Sequence, residues 1–406
     1  MRATVSVATL AATLCGVPAT ATATADADAY RTRYSQWMAS SIISRGQGVM
    51  TGKGGSSEAL QAGFVQKALT ALSVRYPDSA TPYERYIRQS ASSTFSFLSD
   101  AALDALTYPM DRLSNGNALL ALSPAKGTSN YRATADALRE SIDLNLRNAQ
   151  GGLWYFVYPF WSYLDGMYSL GPFYAQYTLT RTPSNSKTTT AALNDMLFQF
   201  DLLWRHNRNA STGLLTHGYD ATLTAVWANL KTGASPYVWG RSLGWYSMAL
   251  LDTLEILEKE KAPSKFRAPL LEKFQSLMPA VIKVVDPKTG GWWQIVDQPG
   301  RAGNYIESSA TAMFSYSLLK GARLGYLPNK LAPTAIKVAA RAQKHLTDAF
   351  VVHEADGTLG YNGTVAVCSL NSTASYEYYV GQPLLYNSVL GSAAYVLASL
   401  EAERLR

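Results

Sequence analysis

Apolar residues recur at three- and four-residue spacing through much of the chain, which predicts amphipathic helices. Over residues 244–259, Trp245, Met248, Ala249, Leu251 and Leu254 follow this spacing and the segment ends in alternating charges. Residues 308–324 repeat the pattern through Ala312, Met313, Ser317, Leu318 and Leu324, with Gly325 as a C-cap. Residues 333–350 and 386–405 predict two further helices. Residues 57–75 and 131–146 follow the same rule less regularly.

A glycine-led turn with aromatic or apolar neighbours separates these helices. It occurs at Gly151-Gly152-Leu153-Trp154, Thr212-Gly213-Leu214-Leu215-Thr216-His217-Gly218, Thr289-Gly290-Gly291-Trp292-Trp293 and Asp356-Gly357-Thr358-Leu359-Gly360-Tyr361. The turns are spaced by roughly sixty to eighty residues, about what two helices and two connections require. About six such hairpins fit the chain, which predicts an all-α (α/α)6 barrel whose open end gathers the turns. An irregular helical domain is the other architecture this pattern allows. The polar stretch 182–188 reads as a loop, so residues 26–406 form a single domain.

Residues 1–25 read as a secretory signal peptide. A basic start at Met1-Arg2 precedes an apolar run over 5–17, then the small-x-small sites Ala19-Thr20-Ala21 and Ala23-Thr24-Ala25. The expectation is a secreted, extracellular protein. Cys15 would leave with the signal and Cys368 would have no intrachain partner, so no disulfide framework is expected. Asn209, Asn362 and Asn371 head glycosylation sequons. With 36 basic and 29 acidic residues the net charge of +7 favours an anionic partner. The cations are scattered singly, which argues against nucleic acid, and no later segment is long and apolar enough for a membrane.

The densest chemistry lies in Trp239-Gly240-Arg241-Ser242-Leu243-Gly244-Trp245-Tyr246. The indoles of Trp239 and Trp245 suit the C–H face of a pyranose, and Arg241 offers a planar fork for a carboxylate. A sugar acid would satisfy both. Asp165, inside Trp161-Ser162-Tyr163-Leu164-Asp165-Gly166-Met167-Tyr168, is a carboxyl among aromatics, a setting that favours the protonated form and suits a proton donor. Asp111 is a candidate second carboxyl and His217 a candidate ligand-binding side chain. Each has a plainer reading: Asp165 as an Asp-Gly turn or N-cap, Asp111 as a helix start beside Arg112, His217 as an exposed turn residue. No metal-ligand spacing, nucleophile elbow or dinucleotide fingerprint occurs, so neither metal nor cofactor is expected.

Tyr163-Leu164-Asp165-Gly166-Met167-Tyr168, with Gly171-Pro172-Phe173 following, resembles the acid-bearing segment of glycoside hydrolase family 105, the unsaturated rhamnogalacturonyl hydrolases. The likeness continues in order through residues 212–220, 239–246, 291–299, 303–310 and 375–379. Ser242-Leu243 departs from it, since many members carry Gly-Asn there. The resemblance implies an (α/α)6 six-hairpin barrel, no metal, and removal of the terminal unsaturated uronic acid that lyases leave on pectin fragments. It implies hydration of the C4=C5 double bond in place of the two-carboxylate displacement scheme. Asp165 would protonate C4 and activate water for C5, with Asp111 holding the ring. His217 and Arg241 would bind the uronate, and Trp239 and Trp245 would stack on it. An unsaturated glucuronyl hydrolase acting on glycosaminoglycan or ulvan fragments stays open beside this reading, as does a non-catalytic carbohydrate-binding barrel.

Overall fold

A computed structural model describes residues 33–124, 129–158, 160–183 and 186–405. The expected signal peptide lies outside the described residues. Fourteen helices are described: α1 (Tyr34–Ser44), α2 (Glu58–Arg75), α3 (Thr81–Ser93), α4 (Ala101–Thr107), α5 (Gly116–Leu122), α6 (Asn130–Asp143), α7 (Gly166–Arg181), α8 (Lys187–Asn207), α9 (Gly240–Lys259), α10 (Ser264–Lys283), α11 (Ser308–Arg323), α12 (Ala332–Phe350), α13 (Tyr376–Val380) and α14 (Val389–Glu403). A 3-10 helix, Met110–Asn115, runs directly into α5.

Six of these segments close a ring. α2 packs on the 3-10/α5 segment, that segment on α7, α7 on α9, α9 on α11, α11 on α14, and α14 back on α2. Around them α3, α6, α8, α10 and α12 each lean on the inner helix before them, and α1 leans on α14. This is the expected (α/α)6 barrel. The two rings differ in pattern for a physical reason. An outer helix has one wet face, so α12 buries only Ala335, Ala339, Ala342, Gln343 and Leu346. An inner helix is covered all round: every residue of 240–254, 308–321 and 389–401 is buried. Close approach in this inner ring needs glycine, since a Cβ on Gly244 of α9 would stand 2.9 Å from Met313 Sδ of α11.

The glycine-led turns do gather at one end. Gly151, Gly213, Gly290 and Gly357 have φ of 86°, 76°, 83° and 84°, the left-handed region that glycine tolerates. Each amide donates back to the carbonyl of the Asn, Asp or Glu three or four residues earlier, namely Asn148, Asn209, Asp286 and Glu354. Each turn leads from an outer helix towards the start of the next inner one. Short antiparallel pairings stitch these turns together: β1 (Trp161–Tyr163) pairs with β2 (Gly218–Asp220), with Ser162 opposite Tyr219. A second pair joins β3 (Val351–His353) to β4 (Leu359–Tyr361).

Candidate active site

The inner helices run parallel and their N-terminal ends meet at the stitched turns. The cleft there is lined by Ser57 and Leu60 at the start of α2, Asp111 at the start of the 3-10 helix, Asp165 before α7, Trp239, Arg241 and Trp245 at the start of α9, and Leu390 of α14. Converging helix N-termini favour negative charge in such a place. A larger cavity, about 540 Å³, opens at the C-terminal ends. There Lys67 and Lys320 already meet Asp252 at 2.7 and 3.0 Å, which leaves the separately held carboxyls to the first cleft.

Asp165 occupies the N-cap position of α7, yet its side chain makes no capping hydrogen bond. Its Oδ2 accepts from Ser242 Oγ at 2.5 Å. His217 Nε2 stands 3.2 Å from the same oxygen, outside hydrogen-bonding alignment. Asp111 is a buried carboxyl whose Oδ2 accepts from Tyr155 at 2.8 Å while Oδ1 is buried without a hydrogen bond. Burial pushes Asp111 up to about 7; Asp165 nearby adds to the rise, and Tyr155 and Arg112 oppose it. Arg112 does not cancel the carboxyl directly, because its guanidinium is tied to Ser141, Tyr108 and Asn145.

His217 is fully buried behind Asp165, and its Nδ1 bonds the Tyr379 hydroxyl at 2.8 Å. Tyr379 also accepts, through its carbonyl, from Gln294, whose Oε1 takes the indole N–H of Trp239 at 3.1 Å. One chain of contacts therefore runs from Asp165 through His217 and Tyr379 to Trp239. Arg241 lies 4.8 Å over the Trp239 ring and donates to the carbonyls of Val365 and Ala366 at 2.6 and 2.7 Å. Glu307 holds the same segment from the other side by accepting from Val365 N–H at 3.1 Å. Trp245 packs on Tyr168 and Phe64 at ring distances of 4.4 and 4.8 Å, so it forms part of the floor.

All six residues singled out from the sequence thus come together, although His217 sits behind the cleft wall. Two of them are more heavily engaged with protein than the sequence suggested. Arg241 spends two N–H groups on the 365–366 backbone, and His217 spends Nδ1 on Tyr379. Tyr155, Ser242, Gln294, Glu307 and Tyr379 also build the site, and the sequence does not single them out. Tyr155 directly follows a glycine-led turn, a signal that was available. The others contribute through partners far along the chain. Among the described residues no group of three or more His, Cys, Asp or Glu is placed to hold a metal ion, and no helix is long and apolar enough to cross a membrane.

The profile of Glycosyl Hydrolase Family 88 matches residues 9–406. A solved glycoside hydrolase of family 105 from C. acetobutylicum ATCC 824 is 31% identical, superposes with a TM-score of 0.78, and is matched over 92% of this chain and 99% of its own. Protein Atu3128 of Agrobacterium fabrum is 33% identical over 216 residues, 52% of this chain and 90% of that protein. An unsaturated glucuronyl hydrolase of Bacillus sp. GL1 shares the fold, with a TM-score of 0.64 at 13% identity over 93% of this chain and 97% of its own.

Proposed function

Because the chain belongs to the glycoside hydrolases of families 88 and 105, we propose that it releases a terminal 4,5-unsaturated uronic acid from lyase-generated oligosaccharides by adding water across the C4=C5 bond. Within that class the substrate we propose is the unsaturated galacturonyl end of rhamnogalacturonan and related pectin fragments. One observation carries the reading: two carboxyls on different inner segments, Asp165 and Asp111, line a single cleft at converging helix N-termini. Those N-termini supply a field suited to an anionic sugar, and the adjoining aromatic side chains supply faces for its ring.

In this reading Asp165 gives its proton to C4, and positive charge develops at C5 and the ring oxygen. The same carboxylate then takes a proton from the water that attacks C5. The resulting hemiketal opens and expels the remaining sugar, with the glycosidic oxygen leaving as a hydroxyl. Asp111, held by Tyr155, fixes the ring beside the forming charge. Arg241 has N–H groups beyond the two given to backbone, and these meet the uronate carboxylate; Trp239 and Trp245 flank the sugar. His217 acts on the uronate side through its place against Asp165. Secretion, read from residues 1–25, would put the enzyme where extracellular lyases make its substrate, and N-terminal sequencing of the exported protein tests that.

The test of substrate is incubation with lyase digests of rhamnogalacturonan, homogalacturonan, heparin and ulvan, following loss of ultraviolet absorbance from the conjugated alkene. The expected result is fastest loss on rhamnogalacturonan fragments. Preference for heparin or ulvan fragments would make the protein a glucuronyl hydrolase. No loss on any digest would leave a carbohydrate-binding barrel.

A further inference from the structure

Ser242 occupies the first turn of α9, fully buried, and does not line the cleft. Its hydroxyl has one hydrogen and two acceptors on offer: Asp165 Oδ2 at 2.5 Å and the His217 carbonyl at 3.3 Å. We propose that Ser242 is a positioning residue for Asp165 whose hydroxyl hydrogen follows the proton, pointing at Asp165 Oδ2 when the carboxylate is bare and at the His217 carbonyl when the acid is protonated.

The hydroxyl of Ser242 matches Asp165 in both of its protonation states. The proposed hydration requires Asp165 to give a proton and take one back within a single turnover, and this inference rests on that reading. A fixed N–H donor beside Asp165 would favour only its carboxylate. A hydroxyl is both donor and acceptor and rotates at little cost, so it serves both states. When Asp165 has given its proton to C4, the Ser242 hydrogen turns to Oδ2. When Asp165 has taken a proton from the attacking water, that hydrogen returns to the His217 carbonyl. No bond of Ser242 breaks. Ser242 itself is fully buried, so water does not take its hydrogen, and the His217 carbonyl, which already accepts from Leu164 N–H at 3.0 Å, is the weaker of its two acceptors. His217 Nε2 also stands 3.2 Å from Asp165 Oδ2 but is out of alignment, which leaves Ser242 as the aligned donor.

Other groups also bear on Asp165. They are Asp111 from the 3-10 helix, Tyr155 and Tyr163 around β1, His217 before β2, Arg241 from α9, Cys368 from the 365–369 segment, and Tyr379 from α13. Of these only His217, through its carbonyl, touches the Ser242 hydroxyl, and the other groups make no hydrogen bond to it.

The experiment compares wild type with Ser242→Ala and Ser242→Cys, the latter keeping a side chain of similar shape with a weaker donor. Steady-state kinetics are taken across pH on the best unsaturated substrate. In parallel, 13C-labelled aspartate is titrated by NMR, with Asp165→Asn assigning the signal. Ser242→Ala is expected to lower kcat about tenfold and to move both the Asp165 titration and the limb it governs upward by about one pH unit, because the charge-assisted bond lost from the carboxylate is stronger than the neutral one lost from the acid. KM stays within about twofold, since Ser242 does not line the cleft, and Ser242→Cys falls between the two. An active enzyme whose Asp165 midpoint does not move in Ser242→Ala overturns the role given to Ser242 alone. A wild type inert towards every unsaturated uronate overturns the hydrolase reading, and with it any catalytic meaning for this pair.

Discussion

Tyr155 donates its hydroxyl hydrogen to Asp111 Oδ2 at 2.8 Å, while the other oxygen of that carboxyl is buried without a hydrogen bond. One neutral donor does not offset burial of a carboxylate, so Asp111 holds its proton up to about 7. The residue that burial turns into a near-neutral acid is therefore the one proposed to hold the ring.

A stability consequence follows from this shift. The folded value lies above the unfolded value near 4, so the folded state binds the proton more tightly across that window. Stability from this group is complete below about pH 4 and falls as pH rises towards about 7. Asp111→Asn stays neutral throughout and escapes the loss. Urea unfolding of both proteins at pH 4 and pH 8 should find the variant gaining on wild type at the higher pH. The upper bound is on the order of 4 kcal/mol, at ~1.4 kcal/mol per pH unit. An equal difference at both pH values would mean that Asp111 is ionised in the native protein.

Asp165→Asn keeps the shape of a cleft side chain but has no proton to give to C4. Turnover should fall by roughly a hundredfold or more, with the thermal midpoint little changed. Retention of more than about a tenth of the wild-type rate on an unsaturated disaccharide would remove Asp165 from its role.

Arg241→Lys tests a residue that joins the cleft to the backbone. A single ammonium cannot meet the Val365 and Ala366 carbonyls while also offering a fork to a carboxylate. A rise in KM together with a stability loss of about 1–3 kcal/mol is expected. A stability loss with KM unchanged would show that Arg241 braces the 365–366 segment and does not touch the uronate.

Solvent deuterium distinguishes hydration from ordinary glycoside hydrolysis. In heavy water the released keto-uronic acid should carry deuterium at C4, because that hydrogen comes from an exchangeable carboxyl. The saturated counterpart of the disaccharide should resist cleavage. Mass spectrometry of the product reads the first outcome, and product without deuterium at C4 would falsify the hydration route.

Much of the helical architecture is written in local pattern. The helices at 244–259, 308–324 and 333–350 were readable within a few residues of their observed ends, and the four glycine-led turns mark real left-handed glycines. α7 is not legible in the sequence because Gly166, Gly171 and Pro172 read as turn residues, although Pro172 lies inside the helix. α10 was missed because Pro269 and Pro279 sit inside it, where sequence reasoning ends a helix. Ser242-Leu243 registered only as a departure from the family motif; in the folded chain Ser242 is the residue bonded to Asp165.

The sequence by itself determined that the chain is built of repeated helical hairpins, that its turns collect aromatics, and which few side chains are worth watching. Spacing and turn chemistry are short-range properties, so they survive in a linear reading. Only the tertiary structure decided which atoms meet. Ser242 reaches Asp165 across 77 positions, Arg241 reaches Val365 across 124, and His217 reaches Tyr379 across 162. Closing the ring of inner helices brings those positions together, and burial there, which no local pattern encodes, sets the protonation of Asp111 and commits the Arg241 guanidinium to its backbone partners.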